Sequence, residues 1–188
     1  MKNFKYKYLL LLSLFFLQMC NAEDVYYVDK EGGIYYLENL DEKIRFSILY
    51  LNDVNSGLLN LEHSGNDEYK EHLNGYFSLH VRVIMPDVYK LEYFDILLTD
   101  IETGNLIIED GSILGHNMPV EKYLSVKDIV VSMKDKGSFE FEVLFKKEKI
   151  KDIKSALINV KYKFIRKGKM LEGEFKKEIY RKSKFKLG

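Results

Sequence analysis

Ile158-Asn-Val-Lys-Tyr-Lys-Phe-Ile-Arg166, the dipeptide Lys167-Gly168, and Lys169-Met-Leu-Glu-Gly-Glu-Phe-Lys-Lys177 read as two extended segments folded back across a two-residue turn. That pairing sets Val160 against Phe175, Tyr162 against Gly173 and Phe164 against Leu171 on one face. On the other face Lys161 meets Glu174 and Lys163 meets Glu172. Oppositely charged cross-strand pairs contribute about 0.2–1 kcal/mol each. A one-residue slip would turn every apolar side chain to water, so both faces specify one register. Gly168 supplies the positive φ that a tight hairpin needs.

Period-two alternation recurs along the chain. Phe77, Leu79, Val81, Val83 and Met85 share a face, as do Ile44, Phe46, Ile48 and Tyr50, then Phe94, Ile96 and Leu98, and Ile129, Val131 and Met133. Such alternation marks half-buried strands. A second hairpin through Asp135-Lys136-Gly137 sets Met133 against Phe139, Val131 against Phe141 and Ile129 against Val143. Further turns are expected at Glu31-Gly-Gly33 and Glu102-Thr-Gly-Asn105, one short helix near Asn66–Leu73, and a long loop over Asp110–Lys122. Nine or ten short strands joined by glycine turns predict a mainly β fold: an antiparallel two-sheet sandwich of immunoglobulin-like kind with one short helix.

The N-terminus carries a different signal. Lys2, Lys5 and Lys7 precede Tyr8–Leu17, an apolar run of 10 residues broken only by Ser13. A bilayer-spanning helix needs about 20, whereas a secretory leader needs a basic start, a short apolar run and a small-residue cut site. Residues 1–22 are therefore expected to be a signal peptide cut after Ala22, leaving 23–188 as a single domain without a transmembrane segment. Leu17-Gln-Met-Cys20 partly matches a lipoprotein cut site, which would instead leave a lipid on Cys20. Cys20 is the only cysteine, so the domain must stand on its core without disulfides. The expected location is the periplasm or the cell exterior, membrane-tethered if Cys20 is lipidated.

Charge is divided along the chain. Glu23–Leu144 holds 10 lysines and arginines against 24 acids, and Phe145–Gly188 holds 16 against 5. A basic segment can serve an anionic partner. Interleaved lysines and glutamates favour the plainer reading, in which strands from the two segments lie side by side and neutralise each other.

Motifs for chemistry are weak. His63, His72 and His80 lie close to Glu68 and Glu71, and a metal would need their nitrogens within about 2.1 Å of one ion. His80 falls on the polar face of its strand, and no established ligand spacing occurs, so solvated histidines are favoured. Asp53-Val-Asn-Ser-Gly57 starts like a calcium loop but lacks the closing glutamate. Asp100 and Glu102 could form an acid/base pair, although a polar turn supplies the same spacing. Arg181, Lys182, Lys184 and Lys186 form a basic tail, either a contact for an anionic membrane surface or a solvated terminus. Aromatics interleave with the lysines, but in an exported protein nucleic acid is not the expected partner. No catalytic residue or cofactor is assigned. The expected function is non-enzymatic binding of another protein or envelope component; the alternatives are a Cys20-anchored lipoprotein serving an envelope assembly, and a carboxylate- or metal-dependent hydrolase.

Overall fold

The computed structural model describes residues 23–40, 44–53, 75–86, 89–114, 125, 126, 128 and 138–185. The elements are β1 (Glu23–Val28), β2 (Tyr35–Asn39), β3 (Arg45–Asp53), β4 (Tyr76–Ile84), β5 (Lys90–Asp100), β6 (Leu106–Ile107), β7 (Gly111–Leu114) and β8 (Ser138–Lys146). The helical turn α1 (Lys147–Ile150), β9 (Ser155–Arg166) and β10 (Lys169–Phe185) follow. Two antiparallel sheets of five strands face each other. One runs β6-β5-β9-β10-β1, and the other runs β3-β4-β8-β7 with β2 added beside β3. Among the described residues a single pair, Tyr26 with Asn52, joins them where β1 meets β3.

The core is the product of the alternation. Phe46 and Ile48 of β3, Phe77 to Val83 at alternate positions of β4, and Phe139 to Phe145 of β8 face Phe94, Ile96 and Leu98 of β5 and Ile158, Val160 and Phe164 of β9. Aromatic rings bridge the layers: Phe46 lies 5.2 Å from Phe94 and Phe94 lies edge-on to Phe141 at 6.0 Å. Such pairs contribute about 0.5–1.5 kcal/mol beyond their burial. Tyr27 of β1 is fully buried, and its hydroxyl oxygen lies 2.7 Å from the carbonyls of both Ile150 and Ile153, which share its one proton. That contact fastens the loop after α1 to β1; burial raises the Tyr27 pKa above its ordinary value, and Arg181 partly opposes the rise.

The decisive hairpin has the register its sequence dictates, from Lys169 opposite Arg166 to Lys177 opposite Ile158. Both turn residues take positive φ, Lys167 at 47° and Gly168 at 74°, a type I′ turn whose twist suits the strands. The charge split resolves by interleaving. Lys161 of β9 lies between Asp95 of β5 and Glu174 of β10. Lys149 meets Asp110 at 2.8 Å and Lys154 meets Glu102 at 3.2 Å, each joining the basic segment to the acidic one.

Two expectations are corrected. Gly111–Leu114, expected within a loop, is strand β7 on the edge of β8; four residues starting at a glycine are too short to show a period. The tail is also strand: Arg181 to Phe185 continue β10 and pair with β1. The expected helix near Asn66–Leu73, and the 129–137 half of the second hairpin, lie outside the described residues. Within β8, Phe141 and Val143 are paired on one edge by β4 and on the other by β7.

Candidate functional site

The chain's route between sheets opens a slot on one side of the sandwich. β1 covers only the last part of β10, pairing Val28 with Tyr180 through to Glu23 with Phe185. The turn at Asp29–Gly33 then carries the chain to the other sheet as β2. Asp29 Oδ1 accepts the N–H groups of Glu31 at 3.0 Å and Gly33 at 2.8 Å, and Gly32 takes a φ of 84°. Local bonding of this kind lets an aspartate set a turn without a strand partner.

This turn also reaches back to β10. Lys30 pairs with Glu178 at 3.3 Å, and an open cavity of about 360 Å³ lies between Asp29–Glu31 and Lys176–Glu178. Lys177 sits 5.0 Å over the ring of Tyr36 on β2. Further towards the hairpin, Met170–Phe175 has β9 on one side and, among the described residues, no strand on the other.

Half-buried apolar side chains floor the slot: Leu171, Phe175 and Tyr162 from one sheet and Tyr36 from the other. Phe175 touches Tyr36 at 5.4 Å and Phe46 at 5.2 Å. The Tyr162 ring lies over Gly173, where a Cβ would stand 2.5 Å from its hydroxyl oxygen. Carboxylates edge the slot: Glu38, which accepts the Tyr36 hydroxyl, and the exposed Glu172 and Glu174. Burial first, then the Glu38 hydrogen bond, pushes Tyr36 up to about 12. Burial and the Glu38 charge also raise Tyr162. Glu174 is held low by Lys176 and Asn159.

The residues singled out by sequence fall elsewhere. His80 lies on the outer face of β4 with its Nε2 3.9 Å from Glu140; His63 and His72 lie outside the described residues. Among the described residues, no cluster of three or more His, Cys, Asp or Glu is placed to hold a metal ion. Asp53 ends β3, and the rest of the calcium-like stretch is outside the described residues.

Asp100 is occupied as a turn residue, accepting Glu102 N–H at 3.0 Å and the Thr103 hydroxyl at 2.6 Å, while Glu102 pairs with Lys154. Strand geometry splits the basic tail, since Arg181 shares a face with the buried Tyr27 and Lys182 with Tyr26 on the opposite face. Lys184 pairs in register with Asp24 of β1; Cys20 and Lys186 lie outside the described residues.

Sequence reasoning missed the slot, because its walls are strands far apart in the chain. It also missed the buried pair on the outer face of β4 and β8, where Ser78 donates to Glu142 at 2.9 Å. Among the described residues no helix is long and apolar enough to cross a membrane. The chain matches no known family, no curated protein and no solved structure.

Proposed function

We propose that this chain is an exported, non-enzymatic binding protein of the bacterial cell envelope whose ligand is another protein or envelope component. The observation that carries the binding half is a set of large apolar side chains exposed to water on and beside strands. Tyr35 and Leu37 on β2 are 54% and 49% exposed, and Leu106 and Ile108, in and beside β6, are 53% and 66% exposed. The two pairs lie on separate strands, and within each pair the side chains are two residues apart on one face; exposed apolar surface of this kind marks interaction sites in folded domains. β2 carries no lysine or proline to guard its edge, which is how sheet edges are ordinarily kept from associating. The export half is supported by the lysine-led apolar run before Glu23.

Two measurements test this reading. Mass spectrometry of the native N-terminus is expected to find a free Glu23; acyl chains on Cys20 would support the tethered alternative, and an intact Met1 would overturn export. Residues 23–188 are expected to crosslink a specific envelope protein, with Leu37→Lys or Ile108→Lys reducing the yield while thermal unfolding stays unchanged. Yields unmoved by both substitutions would remove the apolar surface from the account.

A further inference from the structure

Three surfaces offer themselves beyond the binding role as such: the apolar outer patch of Ile101, Leu106 and Ile108, the buried Ser78–Glu142 pair, and the slot between β2 and β10. The first does not define what would cover it and the second is closed to solvent. The slot defines its occupant through both backbone and charge.

Antiparallel pairing alternates the direction of backbone groups. Lys169 and Arg166 flank the two-residue turn and Arg181 N–H donates to Lys154 O at 2.8 Å, so odd-numbered residues of β10 bond towards β9. The N–H and C=O groups of Met170, Glu172 and Glu174 consequently point into the slot. A row of alternating donors and acceptors is met by one kind of ligand, another extended polypeptide.

The side chains specify which polypeptide. A strand laid beside Met170–Phe175 would place alternate residues over the apolar floor of Leu171, Phe175, Tyr162 and Tyr36. Its remaining residues would lie beside Glu172 and Glu174, with Glu38 on the far wall and no cation between Met170 and Phe175. On the β9 side the same alternation stands in register, Lys161 opposite Glu174 and Lys163 opposite Glu172, and within β10 Lys176 pairs with Glu174 at 2.9 Å. Lys169 and Lys177 bound the slot at its two ends.

We propose that the slot receives an extended segment of a protein partner, basic and apolar residues alternating, as an added strand along Met170–Phe175 of β10. This rests on the reading of the chain as a binding protein and adds the place and chemistry of contact.

The test uses residues 23–188 and three nonapeptides: one alternating Lys and Val, one alternating Glu and Val, and the Lys/Val peptide N-methylated at every second residue. Calorimetry is expected to show binding of the first, at least tenfold weaker binding of the second, and none of the third. Glu172→Gln with Glu174→Gln is expected to weaken the Lys/Val peptide by roughly 2- to 30-fold, the range for two exposed charge pairs. Amide exchange at Met170, Glu172 and Glu174 is expected to slow on binding.

Equal binding of the acidic or N-methylated peptide overturns the proposal, as does no binding of the Lys/Val peptide at 1 mM or protection confined to another strand. Failure here together with crosslinking sensitive to Leu37→Lys or Ile108→Lys removes the slot and leaves the binding role intact. Failure of both removes the role itself.

Discussion

Replacing Gly173 with alanine is expected to change sign with the residue opposite. The backbone at Gly173 is not left-handed, so alanine is not strained there and would restrict the unfolded chain, a gain of about 0.4–1 kcal/mol. Its Cβ would, however, stand 2.5 Å from the Tyr162 hydroxyl oxygen and 2.8 Å from Cζ. The ring, half-buried and 5.8 Å from Phe164, must swing off the core to make room. Overpacking of this kind costs about 1–3 kcal/mol, leaving a net loss of roughly 1–2 kcal/mol. For a domain of this size that lowers Tm by about 2–8 °C. With Tyr162→Ala in place the obstacle is gone, and Gly173→Ala is then expected to stabilise by about 0.4–1 kcal/mol. Urea unfolding of the four proteins in a double-mutant cycle measures this. An equal effect of Gly173→Ala in both backgrounds would refute the reasoning.

Tyr27→Phe keeps the ring but leaves Ile153 O without the hydroxyl donor, while Ile150 O retains Ile153 N–H at 3.0 Å; a loss of about 1–2 kcal/mol is expected in urea, and an unchanged midpoint would count against the staple. Lys167→Asn relieves a left-handed lysine beside Gly168, so the midpoint is expected to rise by roughly 0.5–1 kcal/mol with an unchanged m-value; a fall would mean the turn is not of type I′. Tyr36 has its folded-state pKa raised to about 12 by burial and Glu38, so its contribution is complete below the ordinary tyrosine value near 10 and is lost as pH climbs through about 12. Across that window the stability of Tyr36→Phe is expected to fall less steeply than that of the native chain, and parallel curves would contradict it.

What was legible followed from how many constraints each stretch carried. The β9–β10 hairpin was readable to the residue because both faces restrict it, apolar on one side and charge-paired on the other. Neutralisation of the divided charge was readable in outline, and Asp95–Lys161–Glu174 is its local form. β7 escaped because four residues beginning at a glycine show no period. The tail misled because a run of cations resembles a solvated terminus, whereas its partner is β1 at the far end of the chain. Non-local pairing also hid the slot: Tyr162 and Phe175 read only as the apolar face of their own hairpin, and Tyr36 was not singled out. Nothing in their spacing reports that β1 leaves β10 uncovered before Tyr180.

The most direct measurement is amide hydrogen exchange, residue by residue, along β10. The odd-numbered Leu171, Gly173 and Phe175 are expected to be protected by β9, and Met170, Glu172 and Glu174 to exchange quickly. Slow exchange at all six positions would mean that another strand already lies there, contradicting the open edge on which the account depends.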